Sequence, residues 1–153
     1  MNYKEQYDKI YRYCYFRVKN PVIAEDITQE TFLRFLESNT YQEKGYALHY
    51  LYTIAKNLCV DEYRKQEEVP LTKEIEESSF ETLWVEKLSI QFALEKLTEE
   101  ERELILLRYV NEVPVSVICK LQECSRFALY RKINRVLKKL KQDIGENTER
   151  RTL

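Results

Sequence analysis

Hydrophobic and polar positions fall into helical register from the start of this chain. The Tyr-rich segment Tyr3 to Val18 predicts a first helix. Its Tyr7, Tyr11, Tyr13, Tyr15 and Phe16 can bury rings while the tyrosine hydroxyls stay wet. Asn20-Pro21 then reads as an N-cap followed by proline at the first helical position, where the missing N–H costs nothing. Nothing breaks a helix from there to Glu37. Ile23, Ile27, Phe35 and Leu36 supply its apolar positions, and Asp26, Gln29 and Glu30 share a polar face at i, i+3, i+4. Ser38 to Gly45 is polar and turn-rich and predicts a loop. A third helix follows from about Tyr46 to Arg64, with Leu51, Ile54, Ala55, Leu58 and Tyr63 on its inner side. Three helices make one small bundle.

The pattern changes between Gln66 and Glu86. Glu67, Glu68, Glu74, Glu76, Glu77, Glu81 and Glu86 face one Lys73, with Pro70 and Ser78-Ser79 inside, so this stretch reads as a solvated linker, loosely helical near Trp84. A second helical unit begins near Leu88. Thr98 is its clearest N-cap, followed by Glu99, Glu100 and Glu101 at the positive helix end, with Leu104, Leu107 and Val110 as the apolar face. After Val113-Pro114 comes a short helix to about Leu121, a tight connection at Gln122-Glu123-Cys124, and a long helix capped by Ser125. Those are the proportions of a helix-turn-helix.

On a wheel at ~100° per residue, residues 126 to 141 separate cleanly. Leu129, Tyr130, Ile133, Val136, Leu137 and Leu140 fall on one side; Arg131, Lys132, Arg135, Lys138 and Lys139 fall on the other, with no acidic residue before Asp143. A solvated face usually mixes both signs. A purely cationic one fits phosphates, whose neutralisation releases counterions and makes binding salt-dependent. The first turn, Arg126-Phe127-Ala128, would lie nearest base edges in a major groove.

The totals narrow the classes. With 153 residues and 44% apolar content the chain can form one compact domain or two small ones. Its net charge of −1 is uninformative, so only the distribution of charge bears on nucleic acid. Two Gly and three Pro argue against a turn-rich sheet fold. No apolar run approaches the ~18 residues that span a bilayer, and Met1 to Gln6 has no apolar signal core, so a cytoplasmic location is expected. Cys14, Cys59, Cys119 and Cys124 form no Cys-x-x-Cys pair and His49 is the single histidine, so the cysteines read as small buried hydrophobes and no metal site is expected. No nucleophile–base pair or glycine-rich phosphate loop is present either, and neither catalysis nor a cofactor is expected.

The run Ala24-Glu25-Asp26-Ile27-Thr28-Gln29-Glu30-Thr31-Phe32-Leu33 closely resembles region 2.2, the core-binding segment of bacterial sigma factors, especially the extracytoplasmic-function (ECF) group. Tyr50 to Lys65 is similar to regions 2.3 and 2.4, Leu97 to Tyr109 to region 4.1, and residues 115–140 to region 4.2 without a gap. The resemblance covers nearly the whole chain in the right order. It implies an all-α fold: two small helical domains joined by an acidic linker, the second containing a helix-turn-helix. The corresponding boundaries are 1–66 for the region 2-like domain, 67–86 for the linker, 87–145 for the region 4-like domain and 146–153 for a tail.

The resemblance also implies roles. Glu25, Asp26, Gln29, Glu30 and Leu33 would bind core RNA polymerase, with Asp26, Gln29 and Glu30 on the clamp coiled coil of its largest subunit. Acceptors and an amide projected from one helix turn suit donors on a partner helix. The loop Ser38 to Lys44 with Tyr50, Lys56, Asn57, Arg64 and Lys65 would engage the minus-ten promoter element, where a flipped base must be unstacked and recaptured. Ser125, Arg126, Phe127, Ala128, Arg131, Lys132 and Arg135 would contact minus-thirty-five DNA. An anti-sigma partner is a family expectation. The chain departs from the family at several positions: His49 and Tyr50 replace a small residue and a tryptophan, Glu112 and Glu123 replace glycines, and Pro114 replaces a usual helix cap. Phe127 and Tyr130 stand where smaller or basic residues are typical. Two other readings stay open on sequence: a stand-alone helix-turn-helix regulator, and a sigma-derived interaction module without DNA binding.

Overall fold

The structure is a computed structural model that describes residues 2–38, 46–68 and 94–152. The chain divides into two compact units, 1–78 and 79–153. The described elements of the first are α1 (Tyr3–Val18), α2 (Pro21–Glu37) and α3 (Ala47–Glu68). Those of the second are α4 (Glu99–Ile105), a π-helical turn (Leu106–Val110), α5 (Val115–Gln122) and α6 (Arg126–Thr152).

In the first unit α1, α2 and α3 pack pairwise. Asn20 caps α2 as its sequence predicts, its side chain accepting from the N–H of Val22 and Ile23 at 3.0 and 3.1 Å. Lys19, in the left-handed region at φ 55°, ends α1 and reverses the chain into that cap. The core is filled by Ile10, Tyr13 and Cys14 from α1, Ala24 and Phe35 from α2, and Leu51, Tyr52, Ala55 and Cys59 from α3. Thr28 and Thr31 are also fully buried. Each donates its hydroxyl to the carbonyl one turn back, Ala24 at 2.6 Å and Ile27 at 2.7 Å, which satisfies a group that is expensive to bury unpaired.

Two inward assignments and one wet hydroxyl are corrected. Tyr63 is exposed (61%), and Leu36 is 51% exposed beside the buried Phe35. Tyr13 is wholly buried, ring and hydroxyl together, with Tyr52 edge-on at 5.5 Å. The helix predicted to stop near Arg64 runs on to Glu68, so Glu67 and Glu68, assigned to the linker, are helical. The remainder of the linker to Glu86, the loop after Ser38 as far as Gly45, and the helix start near Leu88 lie outside the described residues.

In the second unit Thr98 forms a complete capping box. Its Oγ1 accepts from the N–H of Glu101 at 3.2 Å, and the Glu101 carboxylate accepts from the N–H of Thr98 at 3.0 Å. The π-helical turn was not readable from periodicity. Its wider i→i+5 bonding (Asn111 N–H to Leu106 carbonyl, 2.8 Å) accompanies two adjacent buried leucines, Leu106 and Leu107, and leaves Val110 only half-buried. α6 continues through Thr152, so the stretch assigned as a tail is helical to within one residue of the end.

Candidate docking face and nucleic-acid interface

The outer face of α2 alternates with its buried one. Between the buried Thr28, Thr31, Phe32 and Phe35 stand the exposed Gln29, Glu30, Leu33 and Arg34, and Asp26 is exposed one turn earlier. Leu33 is 57% exposed, an apolar side chain set among charged ones. Glu30 holds Arg34 at 2.9 Å along the helix. Glu25 differs from the other expected docking residues. It is half-buried, accepts from the Tyr7 hydroxyl of α1 and from the Gln29 amide at 3.2 Å, and so ties α2 to α1. Burial first, and then this bond to Glu25, push the Tyr7 phenol up to about 12, so it stays a proton donor throughout the neutral range.

An open groove of about 610 Å³ separates α2 from the later turns of α3. Asp26, Ile27, Glu30 and Arg34 line one wall; Leu58, Asp61, Glu62, Arg64 and Lys65 line the other. Two residues expected on polymerase and two expected on DNA thus face the same groove. The other expected minus-ten residues of α3 divide between two faces. Asn57 lies in line with Arg64 at i, i+7, whereas Lys56 shares a face with the exposed Tyr63. Tyr50 is half-buried with its ring 6.2 Å from that of Phe35, a packing position. Sequence reasoning placed Tyr63 inside; its i, i+7 relation to Lys56 was the clue to an exposed aromatic beside a cation.

In the second unit the turn between α5 and α6 is formed without glycine. Glu123 adopts φ 52°, ψ 48°, and the N–H groups of Glu123 and Cys124 bond back to the carbonyls of Lys120 and Cys119 at 3.4 and 3.0 Å. That pair of bonds is a Schellman closure. Glu112, after the π-helical turn, has φ 51°. Pro114 starts α5 with no side-chain cap bond. Ser125 caps α6, its Oγ accepting from the Ala128 N–H at 3.1 Å.

The first turn of α6 presents Arg126 and Phe127 to solvent, Phe127 at 81%, while Ala128 is half-buried. Arg131, Lys132, Arg135 and Lys138 are exposed below it. Leu129, Ile133 and Val136 are the buried stripe. Two wheel positions are corrected. Tyr130, assigned inward, is 49% exposed, because the stripe that meets α4 and α5 is narrower than the wheel's apolar half. Lys139, assigned to the cationic face, reaches Glu101 at 3.2 Å. Glu101 is held below the ordinary carboxylate range, chiefly by the Thr98 backbone N–H and also by Lys139. Lys96 and Asp143, 3.7 Å apart, make a second tie to α6.

Comparison with known proteins gives the family. The sequence model of sigma-70 region 2 matches residues 3–69, and that of sigma-70 region 4 matches residues 87–140. The chain belongs to the sigma-70 family. Its relatives are of the ECF group, to which it also belongs. The ECF RNA polymerase sigma factor BldN of Streptomyces coelicolor is 32% identical over 128 residues, 74% of this chain and 48% of BldN, so the chain spans about half of that relative's length. SigW of Bacillus subtilis is 29% identical over 125 residues, 69% of this chain and 67% of SigW. The fold also matches the sigma factor RpoE from Bartonella quintana, crystallised with the anti-sigma factor NepR. The TM-score is 0.63 at 17% identity, with 91% of each chain covered. Sigma factors are transcription-initiation factors and not enzymes. Among the described residues no group of His, Cys, Asp or Glu could hold a metal ion, and no helix is long and apolar enough to cross a membrane.

Proposed function

We propose that this sigma factor binds core RNA polymerase through the outer face of α2 and directs it to promoters read by both units. The observation that carries the docking half is the placement of Asp26, Gln29, Glu30 and Leu33. All four are exposed on a helix whose other face is locked into the core, so they meet a partner without disturbing the bundle. An apolar centre ringed by acceptors fits a helical partner carrying basic residues. Glu25 supports that face from behind through Tyr7 and Gln29.

Promoter contact divides between the units. In the first, Asn57, Arg64 and Lys65 serve phosphates along the groove side of α3, while Lys56 with Tyr63 offers a cation beside a stacking surface for an unpaired base. In the second, Arg131, Lys132 and Arg135 meet phosphates, and Ser125, Arg126, Phe127 and Ala128 form the turn nearest base edges. The closed turn at Glu123 favours a working helix-turn-helix over an interaction module that has lost DNA. A stand-alone regulator would leave the α2 face without a purpose. The site of action is the cytoplasm, where the polymerase is, and an anti-sigma factor is a further partner, as NepR is for RpoE.

In vitro transcription with core polymerase on a pool of random promoters tests the function and reveals the preferred sequence together. Specific start sites that depend on the chain are the expected result. Duplex binding with no chain-dependent initiation would establish the stand-alone regulator instead.

A further inference from the structure

Four thiols are described, and they form two neighbouring pairs of contrasting kind. Cys14 of α1 and Cys59 of α3 face each other inside the first bundle, both essentially without exposure. Their mutual hydrogen bond and their burial push the Cys14 thiol far up, so it stays protonated and unreactive. Cys119 and Cys124 neighbour each other in the second unit, Cys119 buried and Cys124 partly accessible. Cys124 is half-buried, Cys119 is 9% exposed, and their side chains lie within hydrogen-bonding reach of each other.

Backbone geometry brings this second pair together. In the closure of α5 the Cys124 N–H bonds to the Cys119 carbonyl at 3.0 Å, which makes these residues the two whose side chains habitually touch across a Schellman turn. Most such turns fill the contact with two apolar side chains. Here it holds two thiols; burial first, and then the neighbouring Cys124, push the Cys119 thiol up, an effect the positive charge of Arg126 offsets only in part. Cys124 directly precedes Ser125, the cap of α6, and Arg126 and Phe127 follow.

We propose that Cys119 and Cys124 are a redox modification site that closes to a disulfide under peroxide, and that closure lowers affinity for duplex DNA. The second half rests on the reading of α6 as the duplex-contacting helix. The Cys124 thiolate attacks one peroxide oxygen; the S–O bond forms, the O–O bond breaks, and hydroxide leaves with the thiol proton as water. The Cys119 thiolate then attacks the sulfenic sulfur; the S–S bond forms, the S–O bond breaks, and a second water carries off the remaining proton. Two thiols are oxidised and one peroxide is reduced. Contact between the sulfurs must shorten to about 2 Å. Because Cys119 is anchored in α5, the movement falls on Cys124 and the adjoining Ser125 cap, and therefore on the turn that carries Arg126 and Phe127.

The experiment uses the full chain, treated with hydrogen peroxide, alkylated, and digested with trypsin. Lys120 lies between the two cysteines, so the disulfide joins the peptide Tyr109–Lys120 to the peptide Leu121–Arg126, and dithiothreitol separates them. In parallel, holoenzyme made with reduced or oxidised chain is titrated on a duplex selected by the reduced form from a random pool. Affinity is expected to fall about tenfold on oxidation, the scale of one well-formed base contact. Cys124→Ser is expected to bind as the reduced chain does and to ignore peroxide. Separate, alkylated peptides after peroxide would overturn the site; a joined pair with unchanged affinity would overturn the effect on DNA. A reduced holoenzyme that selects no duplex sinks the DNA-reading assignment instead, while the peptide map still decides the disulfide.

Discussion

Replacing Glu123 by glycine should stabilise the second unit. Glu123 sits at φ 52°, ψ 48°, the left-handed region, where a residue with a Cβ is strained by about 1–2 kcal/mol. Its side chain is exposed, so truncation removes no packing. Glycine relieves the strain but adds unfolded-chain freedom worth roughly 0.4–1 kcal/mol in the opposite direction. The balance is a gain of about 0.5–1 kcal/mol. In a unit the size of 79–153 that raises Tm by about 4 °C. Differential scanning calorimetry on the full chain is the assay, with Lys19→Gly as the matched control. Lys19 has φ 55° in the first unit, so its replacement should move the other transition. A second-unit Tm that stays or falls in Glu123→Gly would refute the claim that the turn stores this strain.

Asp26→Ala should weaken core polymerase binding tenfold or more, the scale of a lost charge-assisted hydrogen bond, while thermal melting stays unchanged; equal affinity in an equilibrium binding assay would move the docking face elsewhere. Arg131→Ala with Arg135→Ala should lower duplex affinity and reduce the slope of log K against log salt by about 2, and a slope equal to wild type would place the phosphates on another surface. Thr98→Ala should cost the second unit about 1 kcal/mol in denaturant melts through loss of the capping box; no loss would mean the box contributes nothing. Glu101 has a depressed pKa, so its share of stability is present above the ordinary carboxylate range and is lost as pH falls through the folded value. Acid melts of Glu101→Gln should therefore be flatter than wild type below about pH 4.5, and parallel curves would deny the linkage.

Local chemistry made helix ends readable in the sequence. Asn20 before Pro21, Thr98 before three glutamates and Ser125 after a short connection each act within one turn, and each stands where its side chain predicts. The polar run Asp26, Gln29, Glu30 was legible for the same reason, since i, i+3, i+4 spacing fixes a shared face whatever lies opposite. Which apolar side chains point inward depends on distant partners. Tyr63 and Tyr130 look like core on a wheel, yet among the described residues both stand exposed. Lys139 looks like part of a DNA stripe, and only folding brings it to Glu101, 38 positions earlier. The π-helical turn has no marker in hydrophobic periodicity, because its five-residue bonding adds one position to an otherwise ordinary apolar stretch.

The alternation along α2 sets the terms on which this protein can change. Inward and outward residues alternate in twos from Ile27 to Arg34, so inserting or deleting one residue would swing the whole outer surface by about 100° and drive charge into the bundle. Substitutions at Asp26, Gln29, Glu30 or Leu33 leave Thr28, Thr31, Phe32 and Phe35 untouched. Selection can therefore retune the strength of the partnership in small steps at almost no expense in folding, while the length of the helix is effectively frozen.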